Sequence, residues 1–170
     1  RLSLRLNETP ELAALPWEYL YGTGEIGFLA LSAHTPIVRF PEIMAAIAPV
    51  QVQLPLRILA VISAPEDVAM LDGAGEWQRI QSALASSIKE RKVVVERLHK
   101  ATLAALRDRL RDLDQPIHCL HFIGHGLFDR QAQQGGLLFE DEARQSVLVS
   151  SDLFAAHLSD HRPLSLVFLN

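Results

Sequence analysis

The rhythm of the chain changes at Leu56, and that change constrains the fold more than any other feature. From there onward short apolar runs alternate with amphipathic stretches. Residues 56–63, LRILAVIS, form a continuous apolar run, the pattern of a parallel strand covered on both faces. Residues 75–90 then read as a helix, with Trp77, Ile80, Leu84 and Ile88 at steps of three and four while Gln78, Arg79, Gln81 and Lys89 take other faces. Val93, Val94 and Val95 predict a second strand. Thr102 is placed to cap a second helix with the stripe Leu103, Leu106, Leu110 and Leu113. IHCLHFI at 117–123 predicts a third strand halted at Gly124, GGLLFEDE and SVLVS a hairpin, Ser151 or Asp152 the start of a helix through His157, and Leu164 to Leu169 a last strand. Strands alternating with amphipathic helices define an α/β sandwich with a mostly parallel sheet flanked by helices. No internal repeat is evident.

Residues 1–50 predict a small β-rich unit ahead of this core. Leu2, Leu4 and Leu6 alternate with polar residues as a half-buried strand does. Thr9 suits an N-cap and Pro10 the first position of a short helix. Trp17 to Tyr21, Gly27 to Leu31 and Pro36 to Phe40 are β-prone pieces, most simply a three-stranded meander. Pro41 to Pro55 reads as a connector with one Ala-rich turn or short helix, which divides the chain into parts 1–50 and 55–170.

Composition removes several function classes. A chain of 170 residues can bury about 70% of its unfolded surface, which excludes disorder. The single cysteine, Cys119, rules out an internal disulfide framework and a Cys/His zinc module, and the expected compartment is a reducing cytoplasm. A net charge of −4 without a Lys/Arg tract argues against a nucleic-acid surface. No apolar run approaches the ~18 residues of a membrane span, and the start, RLSLRLNETPE, has no signal-peptide core. The chain begins without Met and ends in LSLVFLN, so we expect it to be part of something longer.

The string HFIGHG at 121–126 is the most informative for chemistry. It places His125 at the carboxyl end of a parallel strand, where open α/β sheets put their sites, with glycines on either side that leave the Gly126 N–H free to face a ligand. Six extended residues, roughly 20 Å, separate Cys119 from His125, so the two form no dyad and Cys119 reads as a small buried hydrophobe. A metal site from His118, Cys119, His121 and His125 fails because His118 faces opposite to Cys119 and His121. Asp72-Gly-Ala-Gly-Glu76 lacks the third glycine and the strand-to-helix position of a phosphate loop, and reads as a loop with a helix start. Glu140, Asp141 and Glu142 read as a solvated hairpin turn. No G-x-S-x-G elbow is present, and Trp17 and Trp77 fit as core anchors.

These pieces together resemble one family, the CHAT domains: caspase-like peptidase domains of clan CD, often attached to TPR repeats. The resemblance runs through LPWEYLY at 15–21, FLALSAHTPIVRF at 28–40, LRILAVIS, EWQRIQSAL, HFIGHGLFD at 121–129, GGLLFEDE and LSLVFLN, in that order over almost the whole chain. It implies a caspase-like fold, and it implies that His125 with Gly126 is the catalytic His-Gly pair. It also implies a nucleophilic cysteine in an Asn-Ala-Cys type motif after the next core strand. Asn170 matches that Asn, so the cysteine is expected at the second position beyond it, about 47 residues after His125, close to the caspase spacing of about 50.

The implied activity is hydrolysis of peptide bonds in polypeptide substrates by a Cys/His dyad, with the present residues stopping short of the nucleophile and inactive alone. No cofactor and no metal are implied. Asp129 and Arg39 recur in the resembling segments; Asp129 can orient the histidine loop, and Arg39 is equally well a strand-edge charge. A TPR region elsewhere in the parent chain is expected from the resemblance only. Two other readings compete: a non-catalytic caspase-like module that regulates or scaffolds, and a small-molecule-binding α/β domain.

Overall fold

A computed structural model describes residues 2–6, 9–13, 15–23, 27–32, 34, 37–39, 53–132 and 134–170. The chain divides into two compact units, Arg1–Pro49 and Val50–Asn170. The second is built on a four-stranded parallel sheet of β5 (Leu56–Ile62), β6 (Val93–Arg97), β7 (Cys119–Ile123) and β11 (Leu166–Leu169) in the order β6-β5-β7-β11. Helices α2 (Gly73–Lys89), α3 (Leu103–Leu110) and α4 (Ser151–Ser159) connect them. The fold is the expected caspase-like α/β architecture.

Alternation along the strands sorts side chains between two faces. Leu59 and Val61 of β5 and Leu120 and Phe122 of β7 meet Leu106 of α3 and Phe154 of α4 in the main buried cluster. Ile58 and Cys119 turn to the other face, beside Ile80 and Leu84 of α2. This layering follows from strand order. The connection from β5 to β6 runs one way along the sheet and that from β6 to β7 runs back across β5, so right-handed crossovers put α2 and α3 on opposite faces.

Local chemistry sets the helix starts. Asp72 accepts from the Gly75 N–H at 2.9 Å, Thr102 from Ala105 N–H at 3.1 Å, and Ser150 from Leu153 N–H at 3.3 Å, each satisfying a donor that a helix leaves orphaned. The DGAGE string is therefore a helix start. Arg111 caps α3 early and Leu113 lies outside it, 69% exposed. Asp114 N–H turns back to the Asp112 carboxylate at 3.2 Å, giving the backbone an alternative to another helical turn ahead of Pro116.

A three-stranded antiparallel sheet, β8 (Gly126–Asp129), β9 (Gln134–Glu140) and β10 (Ser146–Ser150), leaves the end of β7 in the order β10-β9-β8. The β9–β10 hairpin is the expected one. Its acidic trio has three separate tasks: Glu140 accepts from Ala64 N–H at 2.8 Å, Asp141 folds the turn by accepting from Ala143 and Gln145 N–H, both at 2.8 Å, and Glu142 pairs with Lys100.

The first unit departs from the expected meander. β1 (Leu2–Leu4) pairs in parallel with β4 (Ile37–Arg39), and among the described residues β2 (Tyr21–Gly22) pairs only with β3 (Gly27–Phe28). Helix α1 (Pro10–Ala13) begins at the expected proline, but Trp17–Tyr19 and Leu29–Leu31 are 3₁₀ turns. Those tripeptides close on themselves through Leu20 N–H to Trp17 O and Ser32 N–H to Leu29 O, each 3.1 Å. Trp17 and Trp77 are half-buried rather than core anchors. The Ala-rich connector lies largely outside the described residues.

Arg39 is no mere strand-edge charge. Its guanidinium contacts both Glu18 carboxylate oxygens at 2.9 Å, the Ala13 carbonyl at 2.5 Å and the Leu15 carbonyl at 2.9 Å. The arginine beside it holds the Glu18 carboxyl down at about 2. Among the described residues no helix is long and apolar enough to cross a membrane.

Candidate functional site

The site is built where β5, β7 and β11 end side by side. β7 stops at Ile123, and Gly124 follows where no side chain fits: a Cβ at 124 would sit 2.6 Å from the Phe122 ring and 3.2 Å from Ser63 Cβ. Ser63 continues β5 alongside, donating its N–H to Ile123 O at 2.8 Å. Its buried hydroxyl has no partner among the described residues. The turn delivers His125, half-buried, with one ring nitrogen 2.7 Å from the Ala69 carbonyl oxygen.

That contact settles the tautomer. A carbonyl only accepts, so Nε2 carries the hydrogen and the neutral ring presents the Nδ1 lone pair on its other side. Ala69 belongs to the loop after β5, and three ties hold that loop to the β9–β10 turn. Ala64 N–H reaches the Glu140 carboxylate, Glu66 N–H reaches Arg144 O at 2.9 Å, and the Asp67 carboxylate takes the Ser146 N–H at 2.8 Å and its hydroxyl at 2.7 Å. The Ser146 hydroxyl lowers the Asp67 carboxyl below its usual range.

Gly126 opens β8. Leu138 N–H crosses to His125 O at 2.9 Å and Gly126 faces Leu137, which makes Gly126 a position whose own N–H and C=O point away from β9. An added Cβ at 126 would meet only ordinary contacts, Gly136 O at 3.7 Å being the nearest. The two glycines flanking His125 thus differ: 124 is required by packing, while 126 is not.

Asn170 completes the site from the other side. Its N–H donates to Phe122 O at 2.9 Å and its carbonyl accepts from Gly124 N–H at 3.1 Å. Since Leu169 pairs with Phe122, the register sets Asn170 level with Ile123.

The other candidates lie elsewhere. Cys119 sits at the start of β7, roughly 20 Å along the strand from His125. It is half-buried rather than buried, and desolvation raises its thiol pKa, the opposite of an activated nucleophile. It borders an apolar groove of about 370 Å³ that His121 and Phe168 also line. His118 turns away, its Nδ1 accepting from Arg57 N–H at 3.0 Å. Desolvation lowers the pKa of both histidines. Among the described residues no group of three or more His, Cys, Asp or Glu could hold a metal ion. Asp129 does not orient the histidine loop; its carboxylate caps the turn after β8, accepting from Gln131 N–H at 2.8 Å and Ala132 N–H at 3.1 Å.

A parallel sheet in the order β6-β5-β7-β11, with a His-Gly turn at the end of β7, defines a caspase-like α/β protein. The family model of the CHAT domain matches residues 2–170, and the chain belongs to that peptidase-related family. No curated protein matches the chain.

Proposed function

We propose that this CHAT domain carries the histidine half of a cysteine endopeptidase that cuts polypeptide substrates. The observation that supports the reading is the seat of Asn170 between Phe122 O and Gly124 N–H, which brings the end of β11 beside the turn that carries His125. In this reading the nucleophile is a cysteine at the second following position, close enough to the imidazole to exchange a proton with it. Its thiolate attacks the scissile carbonyl and forms an acyl-enzyme. Protonated His125 gives its proton to the leaving amine, then takes one from the water that hydrolyses the thioester. The Gly126 N–H, turned away from β9, and the cysteine N–H stabilise the oxyanion. The Ala69 carbonyl holds the imidazole in the tautomer this needs.

A reducing cytoplasm fits the reading, since a working thiolate persists there. The test uses a chain that continues past Asn170, incubated with a pool of decapeptides read by mass spectrometry. Cleavage lost on replacing either His125 or the thiol by alanine is the expected result. A residue other than cysteine at the second position after Asn170 overturns the reading and favours the non-catalytic module.

A further inference from the structure

β8 is an outer strand with a bare edge that starts beside His125. Its pairing runs Gly126 with Leu137, Leu127 with Gly136, Phe128 with Gly135 and Asp129 with Gln134. Gly126 occupies a non-hydrogen-bonded position, so Phe128, two residues on, does too. Both residues point N–H and C=O off the edge, and neither N–H has a partner among the described residues. All of β8 is exposed, Leu127 at 53% and Phe128 at 61%.

The cross-strand partners of Leu127 and Phe128 are glycines, which place no side chain against those two residues on either face of the sheet. Gly136 is kept a glycine by β10 on its other side, where a Cβ would sit 2.6 Å from Leu148 Cδ1 and 2.8 Å from Val149 O.

An open edge invites an extended chain. Three features single out the substrate over a second copy of the protein. The edge is four residues long, too short for the area a stable dimer buries. It ends at a charged residue, Asp129, which discourages sheet extension. Its first outward donor, Gly126 N–H, is the one proposed to hold the scissile carbonyl.

We propose that β8 is the recognition strand for the substrate backbone, which lies extended along it and pairs with the outward groups of Gly126 and Phe128. This rests on the peptidase reading. With the scissile carbonyl on Gly126 N–H, the outward groups of Phe128 bind main-chain amides within about four residues of the cut, at every second position. Affinity then comes from backbone, and the exposed Phe128 ring adds a preference for an apolar side chain facing it.

The test uses the chain that continues past Asn170. Decapeptides that the wild type cleaves are resynthesised with single N-methyl amides. Losses of about tenfold or more in kcat/KM at alternate residues on one side of the cut are expected, and equal tolerance at all positions overturns the proposal. Phe128→Pro deletes an N–H that no ladder bond uses and is expected to lower kcat/KM for the same peptides about tenfold. Phe128→Ala, which keeps the N–H, is expected to lower it less. Wild-type turnover in Phe128→Pro sinks the edge while leaving the peptidase reading intact. Failure of the wild type to cleave any decapeptide overturns the edge too; His125-independent alkylation of the thiol then shows that the peptidase reading has fallen with it.

Discussion

Ala69 serves His125 with a main-chain oxygen 2.7 Å from the ring, and any residue type at 69 supplies the same group. That is why the sequence marks His125 and Gly126 and is silent about Ala69. The two glycines around the histidine look equivalent in the sequence and are separable by a Cβ. Gly124→Ala drives a methyl against the Phe122 ring, and overpacking of that kind costs about 1–3 kcal/mol. Gly126→Ala meets nothing closer than 3.7 Å and is expected to stay within about 1 kcal/mol of wild type, the usual penalty of strand glycine and alanine being small. Urea midpoints of the two variants check this contrast. Glu18 gives a prediction in pH. Its carboxyl titrates at about 2 beside Arg39, below the unfolded value of about 4.3. Its stabilising contribution is therefore fully present above pH ~4.3 and lost as pH falls through about 2. Trp17 emission followed through an acid titration in a Trp77→Phe background is expected to show that loss, and Arg39→Ala to remove the dependence.

At the scale of elements, the strand–helix alternation after Leu56 was legible because each run is long or strongly periodic. Thr102 and Asp72 announced helix starts for a local reason, since each bonds an amide three residues ahead; the last helix is capped the same way by Ser150, one residue before the Ser151 or Asp152 expected from the sequence. Thr102→Ala is expected to cost about 1 kcal/mol, read as a lowered urea midpoint. β8 was not legible: Gly-Leu-Phe-Asp has no clear alternation, and it becomes a strand only by pairing with β9. The meander failed for a similar reason, because β1 and β4 find each other across more than thirty residues. The loop that presents Ala69 is also a product of long-range ties, the Asp67–Ser146 pair above all. Asp67→Ala is expected to speed hydrogen exchange at the Ser146 amide and through residues 64–69, while α3 exchanges as in the wild type.

Across the whole molecule, the site is a consequence of register. β11 runs beside β7 with Leu169 opposite Phe122, and that one offset sets Asn170 beside the turn that delivers His125. The nucleophile proposed above is the cysteine that the family resemblance expects at the second position after Asn170. Neither Cys119, held far back on β7 with its thiol pKa raised by burial, nor any described carboxylate competes for the role. The most direct test uses a chain that continues past Asn170 and measures the alkylation rate of the thiol proposed at that position with iodoacetamide at pH 7, wild type against His125→Ala. An imidazole beside the sulfur lowers its pKa from about 8.5 to 7.5 or below, so the wild type is expected to react about tenfold faster or more. Equal rates in the two proteins would contradict the account.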